Sequence, residues 1–205
     1  PSLVGSEMCI RDSAYFSQHG DTLRTHRVAV GLYNLQDGQV VRTDRIEMDV
    51  DGSSTEIPEL IGRQLADIDF LLPNDDDLTY CLIELDAGSL QFLLDNIDKF
   101  ADPMARTLCW STAWEMTRAG SMRARDFIQL VARGMQAETE LAVLERIVLQ
   151  ASSALKNYAD PRWAAQSTLL ADALLDGARS SDAQRSIICT QALVKIRPVS
   201  YTHLT

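Results

Sequence analysis

The chain is poor in the residues that build most metal sites and nucleophilic sites. It has three histidines and four cysteines in 205 residues, and no two cysteines are spaced as CxxC. No HExxH, P-loop, GxGxxG or GxSxG motif occurs. None of His19, His26 and His203 lies within one helical turn of another, so we expect no histidine-based zinc site made by this chain alone.

Glycine, proline and long apolar runs are also scarce. Ten glycines and six prolines exclude collagen-like and linker-like sequence. No apolar run approaches the ~20 residues that a bilayer-spanning helix needs. The net charge of −10 argues against nucleic acid and anionic membrane surfaces as partners. Scattered cysteines are typical of a reduced protein, so we expect a cytoplasmic location.

The two ends differ in character from the sequence beside them. Residues 1–13, PSLVGSEMCIRDS, and residues 197–205 resemble translated sequencing-adapter read-through, and we interpret both as non-native ends. The start has no basic segment followed by an apolar one, so it is not a signal peptide. Residues 14–196 remain for fold reasoning, and we expect this segment to be cut at both ends.

Residues 14–86 have the pattern of short antiparallel strands. Apolar residues alternate in RVAVGLYNL and RIEMDV, and Asp37-Gly38 and Asp51-Gly52 are turn signals. DIDFLLP and LTYCLIEL (78–85) are further candidate strands. The pattern predicts a small antiparallel β-sandwich.

Residues 87–196 change to the helical period. Ser89 is expected to cap a first helix, and Asp-Pro pairs at 102–103 and 160–161 predict two later starts. Gly120 and Gly177 are expected to end those two helices. The full pattern predicts an α+β chain in sequence halves, with the β-sandwich followed by an all-α superhelix of αα-hairpins, HEAT-like in shape.

The charge supports a division into two domains. Residues 14–86 hold 5 Lys and Arg against 15 Asp and Glu, whereas residues 87–196 hold 12 of each. Two regions that differ in periodicity and in charge are most simply two domains, 14–86 and 87–196.

The densest polar cluster is Asn74-Asp75-Asp76-Asp77. Three consecutive carboxylates could bind a hard cation such as Ca²⁺. The spaced ligands, central glycine and terminal glutamate of an EF-hand are absent. We favour a turn between strands, in which Asn and Asp bond to their own backbone, and keep a Ca²⁺ site at Asp75, Asp76 and Asp77 as an alternative.

Other candidate groups have a structural interpretation that we prefer. A nucleophilic cysteine would need a histidine beside it, which here means Cys81, Cys109 or Cys189 next to His19 or His26. We prefer the interpretation that these cysteines are buried, small apolar side chains. Trp110 and Trp114 could form an aromatic platform for a ligand, but we prefer a pair packed in the core. Arg123 and Arg125 could bind an anion, but we prefer a solvated surface. Glu138 and Glu140 are carboxylates near a helix start, where they interact favourably with the helix dipole.

Four stretches resemble the C-terminal half of aminopeptidase N. They are VVRTDRIEMDVDGSSTEIPELIG, FLLPNDDDLTY, ADPMARTLCWSTAWEMTRAGSMRARDFIQLV and ETELAVLERIVLQA. More narrowly, the chain is similar to the bacterial subgroup with an ERAP-like C-terminal domain, and the resemblance covers about residues 24–196. The resemblance implies zinc exopeptidases with an N-terminal β domain, a thermolysin-like catalytic domain, a small β-sandwich and a C-terminal helical superhelix.

The resemblance implies a part without catalytic residues. The family's HExxH with its downstream Glu, and its GxMEN loop, do not occur here, so no catalytic, cofactor-binding or metal residue can be assigned in this chain. The parent would remove N-terminal residues from peptides with Zn²⁺. This chain, inactive alone, would cap the active site and limit access, with its own missing catalytic domain and the parent's peptide substrates as partners. A stand-alone β-sandwich and helical interaction module without enzymatic activity is the alternative.

Overall fold

The computed structural model describes residues 2–4, 15–19, 22–60 and 67–196. Compactness divides the chain into two units, Pro1–Ser121 and Met122–Thr205. Within the described ranges, the first unit combines strands with two α-helices, and the second contains α-helices.

Seven strands in the described part of the first unit form two sheets. The strands are β1 (Ser2–Val4), β2 (Tyr15–His19), β3 (His26–Gln36), β4 (Gln39–Val50), β5 (Ser54–Glu56), β6 (Phe70–Pro73) and β7 (Leu82–Glu84). One sheet has the order β5-β2-β1-β7 and the other β4-β3-β6. All pairs are antiparallel except β1 with β7. Residues 2–4, which we set aside as part of an adapter-like end, thus form a strand.

The β3–β4 hairpin is the longest element of the sheets. Asp37 and Gly38 connect its strands with φ of 48° and 81°, which confirms the Asp-Gly turn. The pairing shifts between Leu32 and Tyr33, so that Tyr33 lies opposite Arg42. This irregularity aims the two side chains at one site described below.

Two groups of apolar side chains fill the first unit. The first is a cluster with members in both sheets, and it includes Phe16 of β2 and the cross-strand pair Val30–Ile46. The second group consists of four aromatic rings with neighbouring centroids 5.4–6.2 Å apart, namely Tyr33, Phe70, Phe92 and Phe100. The aromatic group joins the hairpin to the first helix.

The two helices of the first unit are α1 (Ala87–Asn96) and α2 (Pro103–Ala119). The predicted cap Ser89 is wrong, because Asp86 is the N-cap and its carboxylate accepts from Gly88 N and Ser89 N. The Asp102-Pro103 start is confirmed, since Asp102 accepts from Met104 N. Gly120 ends α2 at a φ of 85°, as predicted.

The described part of the second unit contains α3 (Ala124–Gly134), α4 (Leu141–Asn157), α5 (Pro161–Gln166), α6 (Leu169–Ala178) and α7 (Ala183–Ile196). The Asp160-Pro161 start is confirmed, but the single helix expected from there to Gly177 is two helices. The break falls at Ser167, whose backbone is extended, and Thr168. Ser and Thr are unfavourable in a helix interior because their side chains form hydrogen bonds with nearby backbone groups in place of the helical ones.

The α+β class is confirmed, with a sheet region followed by a helical region. The change from strand to helix near residue 87 does not coincide with the division between compact units at Ser121. The assignment of 14–86 and 87–196 as domains, and of 1–13 and 197–205 as foreign ends, stays a prediction. Residues 5–13 and 197–205 lie outside the described residues. Within the described ranges, every helix is too short or too polar to cross a membrane.

We expect Gly177→Ala to destabilise the chain. A Cβ at this position of α6 would lie 2.5 Å from Cys189 Sγ of α7. Glycine to alanine inside a helix normally stabilises by about 1 kcal/mol, but overpacking a buried contact costs about 1–3 kcal/mol. Chemical denaturation of the full chain measures the difference. In the double variant with Cys189→Ala the overlap is relieved, so the two effects should be strongly non-additive. Additive effects would contradict the packing argument.

Candidate functional site

The run Asn74–Asp77, here called the aspartate turn, connects β6 to the segment before β7. Asn74, Asp76 and Asp77 have φ of 54°, 64° and 56°, in the left-handed region that Asn and Asp tolerate better than other side chains. The turn predicted for this run is therefore confirmed, and the residue types follow from its backbone.

The Asp75 carboxylate is buried at the centre of the site, with a relative exposure of 1%. Its Oδ1 accepts a hydrogen bond from Tyr33 Oη at 3.0 Å, and its Oδ2 accepts one from Arg42 Nη1 at 2.8 Å. A Cβ at Gly31 would overlap Oδ2, so the carboxylate occupies space that any other residue at position 31 would fill. Burial of a carboxylate is unfavourable unless an opposite charge and hydrogen bonds compensate it, and Arg42 and Tyr33 supply both here.

Burial and charge change the titration of the groups around Asp75. Burial, followed by the charge of Asp75, raises the pKa of Tyr33 far above its ordinary value. The hydrogen bonds to Asp75 and Asp76 raise the pKa of Arg42. Tyr33 is thus held as a neutral phenol and Arg42 as a cation at neutral pH.

Ion pairs extend from the aspartate turn along the β3–β4 hairpin. Arg42 Nη1 lies 2.9 Å from Asp76 Oδ1, and Arg45 Nε lies 2.6 Å from Asp76 Oδ2. Arg45 also pairs with Glu47, and Arg27 pairs with Glu47 and Asp49. Partial burial raises the pKa of Asp76, but the hydrogen bonds from Arg42 and Arg45 outweigh it and leave that pKa below its ordinary value.

The alternative of a Ca²⁺ site does not fit this geometry. Asp75 and Asp76 are turned to arginines, and Asp77 Oδ1 lies 3.4 Å from Asn74 Nδ2. Guanidinium groups at hydrogen-bond distance from the carboxylates repel a divalent cation. Among the described residues, no three His, Cys, Asp or Glu side chains are grouped so that they could hold a metal ion.

The next residues along the chain are fixed by Asn74 and His26. Asn74 is buried, its Oδ1 accepts from Thr79 N at 3.0 Å, and its Nδ2 donates to Thr79 O at 2.8 Å. His26 Nδ1 lies 3.0 Å from Thr79 Oγ1. All three polar groups of Thr79 are therefore engaged, and the backbone entering residue 80 is held in place.

The three described cysteines have the character of unreactive thiols. Cys81, Cys109 and Cys189 are free. Burial, with a smaller effect of Asp77, raises the pKa of Cys81 to about 11. Burial also raises the pKa of Cys109 and Cys189. A thiol with a raised pKa is protonated at neutral pH and is a poor nucleophile. His26 contacts Thr79, and the side chain of His19 lies outside the described residues.

The paired tryptophans and arginines have structural surroundings. Trp110 is fully buried, whereas Trp114 is half-buried, so the two do not form an open platform. Arg123 Nε lies 2.6 Å from Asp126 Oδ2, and Arg125 Nε lies 3.6 Å from Asp126 Oδ1. The Asp126 carboxylate therefore occupies the position at which an anionic ligand would contact the two arginines.

Glu138 has a role that the sequence suggested only in part. Its buried Oε1 accepts from Thr139 N at 2.9 Å and Glu140 N at 3.1 Å, just before α4. The Arg185 guanidinium of α7 donates to the carbonyl oxygens of Met135 and Glu138. The exposed Glu140 is the N-cap residue of α4 without a side-chain cap bond. The link to Arg185 could not be found from local sequence because it joins residues 47 positions apart.

Two of the cavities in the second unit are lined by described residues. One, of about 220 Å³, is lined mainly by α4 and α7, including Val148, Leu149 and Lys195. The other, of about 390 Å³, is lined by the segment around Ser167 together with Leu155 and Ile196. Neither brings together a set of ionisable groups arranged for acid–base or nucleophilic chemistry.

Comparison with known proteins identifies the family. Residues 70–191 match the ERAP1-like C-terminal domain family, which is more than half of the chain. The chain is 40% identical over 141 residues to a protein of Streptomyces lividans named aminopeptidase N. The alignment covers 68% of this chain and 16% of that relative. The chain therefore belongs to the ERAP1-like C-terminal domain family, and the resemblance to the C-terminal part of an aminopeptidase N is confirmed.

The family implies zinc, and the described residues do not fit it. Zinc in proteins takes four ligands from Cys, His and acidic side chains. The aspartate turn, the densest acidic cluster, is committed to arginines, and the cysteines described above are separate and protonated. No chemical step through zinc is assigned to residues of this chain.

We expect Asp75→Asn to destabilise the chain by about 2–4 kcal/mol, because it leaves the Arg42 charge without its buried partner. The value lies below that for a fully buried pair, since Arg42 is 34% exposed. Equilibrium unfolding in urea measures the loss. Asp77→Asn is the matched control, because Asn tolerates the same left-handed backbone at this exposed position, and it should change stability by less than about 0.5 kcal/mol. Equal effects at the two positions would contradict the central role of Asp75.

Asp76→Asn should alter the acid dependence of stability. The pKa of Asp76 is lower in the folded chain, so its contribution is present above the ordinary Asp pKa of about 3.9 and is lost as pH falls through the lower value. The variant should therefore be less stable than the parent chain at pH 7, and the difference should shrink toward zero near pH 2. Urea unfolding at a series of pH values measures it. A difference that is constant with pH would contradict the ion-pair assignment.

Proposed function

We propose that this chain is the non-catalytic C-terminal portion of a zinc exopeptidase of the aminopeptidase N type, which removes N-terminal residues from peptides. The observation that carries the proposal is the match of residues 70–191 to the ERAP1-like C-terminal domain, together with 40% identity to a segment that makes up 16% of an aminopeptidase N. Because HExxH and GxMEN do not occur in the sequence, we propose that the catalytic step belongs to another part of the parent.

In this proposal the chain provides structure and access. Zn²⁺ bound elsewhere in the parent would polarise the scissile carbonyl and activate water, with a Glu as general base. The present chain would cap that active site and limit which peptides reach it. Its partners would be the parent's catalytic domain and the parent's peptide substrates.

The architecture proposed for this role is finer than the α+β class. The two sheets would form the small β-sandwich of the family, supported by the apolar cluster with members in both sheets. The helices from α1 onward would form the first layers of a HEAT-like superhelix. We propose a cytoplasmic location, which is supported by the three free thiols.

We expect the 205-residue chain to show no hydrolysis of aminoacyl-anilides, with or without added Zn²⁺. The product of the gene extended upstream should be active, and a chelator should abolish that activity, because the HExxH zinc site would lie in the added segment. Release of the anilide measures both activities.

The control is the extended product with its HExxH glutamate replaced, which should bind zinc and remain inactive. Zinc-dependent hydrolysis by the chain alone would contradict the proposal. An upstream segment without HExxH or GxMEN would also contradict it, and would favour the stand-alone interaction module.

A further inference from the structure

The segment Leu78–Leu82 exposes every second side chain, although those side chains are large and apolar. Leu78 is 44% exposed, Tyr80 101% and Leu82 51%. Thr79 and Cys81 between them point inward, Thr79 to His26 and Cys81 to the apolar cluster of the sheets. Leu78 has helical backbone angles (φ −71°, ψ −24°), and five consecutive residues span at most about 15 Å, so the three exposed side chains lie near one another. We name Leu78, Tyr80 and Leu82 together the Tyr80 face.

The backbone on the N-terminal side of the Tyr80 face is held by side-chain hydrogen bonds. Asn74 Oδ1 accepts from Thr79 N, and Asn74 Nδ2 donates to Thr79 O. The aspartate turn that precedes the segment is fixed by the buried Asp75. A fixed backbone lowers the conformational entropy that is lost when Tyr80 binds a partner, and tyrosine is enriched among interaction hot spots.

The described part of the fold gives no packing reason for these exposed apolar side chains. Tyr80 makes no packing contribution at an exposure of 101%, and an exposed aromatic between two exposed leucines lowers solubility. We propose that the Tyr80 face is the surface through which this chain docks onto the catalytic region of its parent protein. This inference rests on the proposed function.

Two observations favour that occupant. The aligned part makes up only 16% of the aminopeptidase N of Streptomyces lividans, so most of a protein of that kind lies outside the segment described here. The strand half that carries the face is strongly acidic, with 5 Lys and Arg against 15 Asp and Glu in residues 14–86. The surface that covers the face should therefore be apolar at its centre and basic at its rim.

Nitration by tetranitromethane, read by peptide mass spectrometry, tests the proposal in the chain alone and in the product of the gene extended upstream. In the chain alone Tyr80 should react at least as fast as Tyr158, which is 47% exposed, and buried Tyr33 should not react. In the extended product the rate at Tyr80 should fall at least tenfold. An unchanged rate at Tyr80 would overturn the proposal. Protection in the chain alone at high concentration would assign the face to a second copy and also overturn it.

Serine variants provide a second measurement. Leu78→Ser and Leu35→Ser are the same chemical change at nearly equal exposures of 44% and 41%. Both should leave the melting temperature of the chain alone unchanged, and Leu78→Ser alone should lower that of the extended product by several degrees. Equal shifts for the two variants in the extended product would overturn the proposal.

The activity assay separates this inference from the proposed function. An extended product that hydrolyses aminoacyl-anilides while Tyr80 stays fully reactive overturns the docking surface alone. An extended product without activity, in which Tyr80 is protected, overturns the identification of the covering surface as a catalytic region.

Discussion

The first unit depends on one buried carboxylate. Asp75 is held between the Tyr33 hydroxyl and the Arg42 guanidinium, in space left open by Gly31. Removal of a carboxylate from water is unfavourable unless its charge and its lone pairs are satisfied. The pairing shift in the hairpin meets that need because it places Arg42 opposite Tyr33. The hairpin, the aspartate turn and the aromatic group around Tyr33 are thus fixed by the same interaction.

Local features of the structure could be predicted from the sequence, and features built from distant residues could not. Asp37-Gly38, Asp102-Pro103 and Gly120 act through the backbone of their immediate neighbours, and each was found at its predicted place. The burial of Asp75 depends on Tyr33 and Arg42, which are 42 and 33 positions away. No periodicity reports such a contact, and a run of three aspartates suggested a cation site because the arginines that neutralise it belong to another strand.

The function of the chain, like its long-range contacts, could not be predicted from local sequence patterns. The sequence contains none of the catalytic motifs named above, and membership of the family rests on similarity over a long segment rather than on any reactive group. The position of Asn74 in a turn could be predicted from the local sequence, because Asn commonly occupies left-handed turn positions. Its second role, the clamp on Thr79 that presents Tyr80, depends on hydrogen bonds that only coordinates reveal. Exposure of an apolar side chain is likewise a property of the fold and not of the residue.

The close approach at Gly31 has a consequence for how this sequence can change over time. A side chain at position 31 of β3 would occupy the same volume as the carboxylate of Asp75, so the two exclude each other. A lineage that replaces the glycine must first lose the acid, and once the acid is lost, Arg42 keeps only its ion pair with Asp76. Substitutions at positions 31 and 75 would therefore be fixed in a preferred order, and a related sequence with a side chain at position 31 should lack the carboxylate at position 75.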